Sequence, residues 1–256
     1  MFEYFFTYKT ELPADVVGWQ HYDLAHLCFL IFFAIATIVM VRIYRGCDER
    51  LQKRIRIAYV VIMLVMEILK DAVCFFTLEV WDPDLFPLHM CGISIIISAI
   101  HVIKPNKWTG TLLYCLCMPG AFMALLFSDW IMYPVLSYFN LHSFFIHFLM
   151  FSFPVLLIGS GEIRPRLTDL WRAVIFLVVV IPPIYFINQL LDTNFFFLNL
   201  AAPGSPLEPL QVLGMPGYLF GFMGLVVVFW IILYLPWMIK TLLEKRATAK
   251  STQGEN

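Results

Sequence analysis

Apolar residues run for bilayer lengths at seven places, about 23–44, 57–78, 87–103, 108–127, 143–159, 171–188 and 217–238, with polar positions gathered between them. A helix rises about 1.5 Å per residue, so about 20 apolar residues cross a hydrocarbon core of about 30 Å. The pattern predicts an all-α fold: a polytopic membrane bundle of seven transmembrane helices. It forms a single domain over 1–256 with no internal repeat. Pro87 opens the third run at a position suited to a first helical turn. Pro119-Gly120, Pro154 and Pro182-Pro183 lie within runs and predict kinks there.

Charge sets the expected direction of each helix. Segments 42–56, 104–107, 162–172 and 240–256 hold 15 of the 17 Lys and Arg residues. Of the other two, Lys9 lies in the N-terminal segment and Lys70 within the second run. The alternate segments hold Glu79, Asp82, Asp84, Asp129, Asp192 and Glu208 instead. The positive-inside rule then predicts the N-terminus outside and the C-terminus inside a cell membrane.

Composition removes whole classes of function. Residues AVILMFWYC make up 61% and charged residues 14%, and mean hydropathy is +0.82. A water-soluble fold of this size could not bury so much apolar surface. With a net charge of -1 and no basic motif, nucleic acid is not an expected partner; membrane lipids are. The six cysteines fall mostly inside apolar runs, so a disulfide framework is not expected. The N-terminus lacks the pattern of a cleavable signal, and its aromatics suggest a segment lying at the membrane interface.

The chemistry lies in the polar residues that interrupt the runs. Glu67, Lys70 and Asp71 share one face of the second helix. They form either an internal salt-bridge cluster or the wall of a substrate cavity, and the two are compatible. His26, His89, Cys91, His142, His147, Asn188 and Asn194 fall at the same outer depth once each helix is given its direction. Such convergence is what a site requires, and an outward vestibule would share it. Cys91, near a helix N-terminus, is the best nucleophile, and an imidazole such as His147 could take its proton.

Other chemistries lack their residues. No GxSxG, P-loop or HExxH occurs, and the seventh run has no lysine for a retinal Schiff base. No pair of histidines stands at i, i+4, so neither a metal nor another cofactor is expected.

Several short stretches resemble the YwaF-like family of bacterial integral membrane proteins. They are Leu24-Ala25-His26-Leu27, Glu67, Phe86-Pro87-Leu88-His89-Met90-Cys91, His147 and Arg164-Pro165-Arg166. Further on come Asn188 with Asp192-Thr193-Asn194-Phe195, then Pro203, Ser205-Pro206 and the Gly-x-Pro-x-Tyr ending at Tyr218. The chain departs from the pattern at Leu200-Ala201-Ala202, where basic residues are expected. A related eukaryotic transmembrane family includes an acyltransferase acting on ether phospholipids through a Cys and a downstream His. By that resemblance Cys91 and His147 are the expected catalytic pair. Glu67 or Asn188 would orient the imidazole, with His26, Asp71, His89 and Asn194 binding or orienting substrate. The resemblance thus implies a membrane acyltransferase or lipid hydrolase working through a cysteine thioester. The alternative is a transporter or channel subunit whose path is lined by the same residues. The 189–216 segment is read as a lid or as an ordinary outer loop.

Overall fold

A computed structural model describes residues 4–78 and 82–254, so Glu79 lies outside the described residues. Among these the fold is all-helical. Seven long helices follow one another: α1 (Leu24–Gly46), α2 (Glu49–Ala72), α3 (Met90–Ile103), α4 (Lys107–Leu126), α5 (Tyr138–Ser160), α6 (Trp171–Leu191) and α7 (Gly214–Gly254). Their starts are written in the sequence. Asp23, Asp48, Asn106 and Ser137 each accept a backbone N–H of the first turn of α1, α2, α4 and α5. Gly161 ends α5 in the left-handed conformation (φ 83°) that a glycine adopts without strain.

Six stretches are long and apolar enough to cross a membrane: Leu24–Gly46, Pro83–Ile103, Lys107–Leu126, Tyr138–Ser160, Leu167–Leu191 and Glu208–Glu244. Helix α2 is as long, at 24 residues, but Glu67, Lys70 and Asp71 interrupt its apolar stretch. Helices α4 and α5 form the centre. Of their most apolar stretches 61% and 56% is buried, against 17% for α1 and 11% for the stretches holding α6 and α7. The core joins Tyr59 and Met63 of α2, Leu113 of α4, Phe153 and Leu157 of α5, and Tyr234 of α7.

The third helix differs from its sequence-based outline. It begins at Met90 with His89 as N-cap, so Pro87 lies in the preceding turn and not in the helix. The cause is a close approach: a Cβ on Gly92 would stand 2.7–2.9 Å from the Pro87 backbone. Only a glycine there lets the Pro87 turn fold against the helix.

The prolines act through defined partners. Pro119 has no N–H to offer the Cys115 carbonyl four residues back, and α4 widens into a π turn over Leu113–Cys117. The indole of Trp230 from α7 donates to that carbonyl at 2.9 Å. Trp230→Phe is therefore expected to lower stability by about 1–3 kcal/mol, the penalty for a buried carbonyl left without a partner. Thermal unfolding in detergent measures it, and an unchanged midpoint would mean that the carbonyl finds another donor.

The α1–α2 connection marks the lower end of the bundle. There Arg56 pairs with Glu162, which also stands 3.5 Å from His101 Nε2. His101 Nδ1 lies 2.8 Å from the Thr109 hydroxyl. Arg56 and His101 outweigh burial and hold the Glu162 carboxyl below the usual carboxylate range.

Candidate active site at the upper end of the bundle

The opposite, upper end is roofed by residues 4–23 and by the connection after α6. Tyr8 and Trp19 are buried there, so the N-terminal segment packs onto the bundle. Trp19 donates from its indole to Asn140 Oδ1 at 2.9 Å. Tyr8 donates to Asp82 at 2.9 Å, and Lys9 bridges Asp82 and Asp84 at 3.1 and 3.0 Å.

This clip has a defined pH range. Burial alone would raise Asp82, but the Asp84 N–H, the Tyr8 hydroxyl and Lys9 together hold it below its ordinary 3.8. Burial alone would lower Lys9, and the Asp84 and Asp82 carboxylates hold it above its ordinary 10.5. The Asp82 contribution is complete above 3.8 and is lost as pH falls through its depressed native value. The Lys9 contribution is complete below 10.5 and is lost as pH rises through its raised native value. A spin label at exposed position Glu11 is expected to stay immobile across that range and to loosen on either side. Mobility already high at neutral pH would sink the clip.

Beneath the roof the polar residues separate into two groups. His26 and the two asparagines are fully engaged by backbone. The Tyr22 N–H donates to His26 Nδ1 at 2.9 Å, and His26 Nε2 must then carry the proton it donates to the Leu125 carbonyl at 2.8 Å. His26 thus holds the start of α1 to the end of α4. Asn188 Oδ1 accepts from Thr193 and from the Phe195 N–H, and its amide donates to the Phe195 carbonyl. Asn194 closes the next turn through the N–H groups of Asn199 and Leu200 and the Leu200 carbonyl. Both asparagines therefore build the connection after α6. That connection sets the Phe195 ring edge-on to His89, with centroids 4.8 Å apart.

The second group retains chemical freedom. Cys91 is the second residue of α3, half-buried. His89 gives this helix no side-chain cap. Among the described residues the N–H groups of Met90 and Cys91 have no acceptor, and the Gly92 N–H is directed at the Cys91 sulfur. These donors stand at the positive end of a helix dipole, in the turn that carries the thiol. His147, on α5, lies 2.7 Å through Nδ1 from the Ser143 carbonyl. A carbonyl can only accept, so Nδ1 carries the proton and Nε2 keeps its lone pair. Trp130 stacks on the same ring at 4.9 Å and 17°. The imidazole is thus oriented by its own helix and by Trp130, not by Glu67 or Asn188.

Charges link Cys91 to His147. Glu67 pairs with Lys70, and Lys70 also reaches Asp71 at 3.3 Å. Glu67 Oε2 stands 3.6 Å from His142 Nε2. Glu67, Lys70 and Asp129 all act electrostatically on both Cys91 and His147. Asp129 was not legible as part of the site; the one available signal was its position next to Trp130 in the connection after α4. Among the described residues no group of three or more His, Cys, Asp or Glu could hold a metal ion.

A family model described as the TMEM164 family matches residues 16–234. The chain belongs to the TMEM164 family. The matched region contains Cys91, His147 and the charges around them, and of the clip it contains Asp82 and Asp84 but not Tyr8 and Lys9. Comparison with curated proteins and with solved structures finds no match. Membership in this transmembrane family and the apolar helices agree on a multi-pass membrane protein in contact with lipid.

Proposed function

We propose that this member of the TMEM164 family is a seven-span membrane enzyme that transfers or hydrolyses fatty acyl groups of phospholipids through a thioester on Cys91. In this reading α2 is the seventh span, its carboxylates neutralised by Lys70, and the upper end faces outward by the positive-inside rule. The resemblance to YwaF-like proteins supports the same reading, with a bacterial cytoplasmic membrane as the proposed location.

One observation carries the reading. The Cys91 thiol sits at an uncapped helix start with the Gly92 N–H directed at it, in the same electrostatic field as an imidazole whose Nε2 has no hydrogen-bond partner among the described residues. His147 Nε2 takes the thiol proton and the sulfur attacks the ester carbonyl carbon. The carbonyl oxygen becomes an oxyanion facing the N–H groups of Cys91 and Gly92. Collapse breaks the carbon–oxygen ester bond, and the departing lysolipid oxygen takes the proton from His147. A lysolipid hydroxyl or water then resolves the thioester, its proton going to His147 and on to the cysteine.

The test is incubation of the purified full chain with cell phospholipids, followed by mass spectrometry for a hydroxylamine-sensitive acyl group on Cys91. The expected result is an adduct of fatty acyl mass that disappears in Cys91→Ser. No adduct under rapid low-temperature quenching would overturn the reading and favour a transport role for Glu67, Lys70 and Asp71.

A further inference from the structure

A groove of about 430 Å³ runs down the side of the bundle between α2 and α5. One wall is Ile62, Met66 and Leu69; the other is Leu141, Phe145 and Leu149. Phe5 of the N-terminal segment closes its upper end, its carbonyl accepting the Tyr138 N–H at 2.8 Å. We infer that this groove is the binding site for the acyl chain of a lipid from the upper-end leaflet. The inference rests on the acyl-transfer reading and deepens it, by locating where the substrate's hydrocarbon lies.

Three observations commit the groove to that occupant. The first is depth. Its lining on α5 runs from Tyr138 to Leu149, and 11 steps at about 1.5 Å make a trough of about 16 Å. That is half of a hydrocarbon core of about 30 Å, the depth of one leaflet. The second is surroundings. Ile62, Leu69 and Phe145 are 48%, 54% and 38% exposed, and on membrane-depth helices the medium they face is lipid. The volume falls within the range of about 300–1,000 Å³ usual for small-molecule sites.

The third is polarity at one height. His142 lines the groove and is 7% exposed. Its Nε2 has no hydrogen-bond partner among the described residues and stands 3.6 Å from Glu67 Oε2. Glu67 is also one of the charges acting on Cys91. The trough therefore offers hydrocarbon contacts along its length, with the His142–Glu67 pair buried directly behind its wall at the second turn of α5. An acyl chain has the same construction, a long apolar tail with an ester carbonyl at one end. Held here, the tail would bring its carbonyl to the cluster that borders the thiol.

The experiment uses the full chain in phosphatidylcholine vesicles doped with a phospholipid carrying a diazirine on its acyl chain. After illumination, labelled residues are mapped by mass spectrometry and the Cys91 adduct is measured on the same sample. The inference expects label concentrated on Met66, Leu69, Leu141 and Phe145. Leu141→Trp, or Leu69→Trp from the other wall, should lower label and adduct about tenfold, since losing two buried methylenes already corresponds to roughly that factor. Val178→Trp, on the exposed side of α6 (66% exposed), should change neither. Label spread over all lipid-facing helices in the wild type would overturn the inference, whatever the variants do. An adduct with dispersed label would remove the groove and leave the chemistry; focused label without an adduct would do the reverse.

Discussion

Lys70→Met is expected to cut the yield of monodisperse protein severely, with a loss of about 3–5 kcal/mol, the usual consequence of leaving a buried charge unpaired. Lys70 pairs with Glu67, both about four-fifths buried, and reaches Asp71 at 3.3 Å. Removing the ammonium leaves two carboxylates within five residues of one helix, Glu67 among them largely buried. The Asp71 carboxylate is 43% exposed, so its share is small. Glu67 carries the loss, because its remaining neighbour, His142, is 3.6 Å away and shielded from water. Folding stabilities are usually about 5–15 kcal/mol, so such a loss is a large part of the whole. Glu67→Gln combined with Lys70→Met should recover much of it, since the pair is then removed together. Thermal unfolding and gel filtration of the three proteins decide it. If the single variant unfolds at the wild-type temperature, the cluster is hydrated and contributes nothing to the fold.

That cluster was legible in the sequence because its signal is local. Residues three and four apart share a helix face whatever surrounds them. The helices were legible for the same reason, although α2 begins eight residues before its apolar run and α7 ends sixteen residues after its own. The start of α3 was not, because Pro87 suits a first helical turn and the position is decided by contact between the Pro87 backbone and Gly92. Nor does a sequence say which of several polar residues are already engaged. His26 and Asn188 look as available as His147, yet their partners are backbone groups of Leu125 and Phe195, 99 and 7 residues away. The donor that Pro119 makes necessary at Cys115 comes from Trp230, 115 residues on. Such pairings belong to the folded bundle. What can be read locally is the order of the helices, and their alternation along the chain puts Cys91 near the start of one helix and His147 in the first half of another.

His147→Gln is expected to slow acylation of Cys91 by about 10²–10⁴-fold, the usual contribution of a positioned general base. Glutamine can still donate an amide hydrogen to the Ser143 carbonyl, so packing and the local bond are largely kept while the Nε2 lone pair is lost. The slowing should lessen as pH rises, because hydroxide can form the thiolate that the imidazole no longer generates. Trp130→Leu tests the same assignment from the side. It leaves the base in place and removes the ring that stacks on it at 4.9 Å, so the rate should fall by about tenfold, for about 0.5–1.5 kcal/mol of stacking. Its pH profile should keep the wild-type shape, since the titrating group is unchanged. A merely structural His147 would give the opposite combination, with both variants losing stability and neither altering the pH dependence of acylation. Single-turnover quench with mass spectrometry measures all three rates. Equal rates for wild type and His147→Gln at neutral pH would assign the proton to another base. The strongest candidate would then be Glu67, the nearby carboxylate already coupled to Cys91.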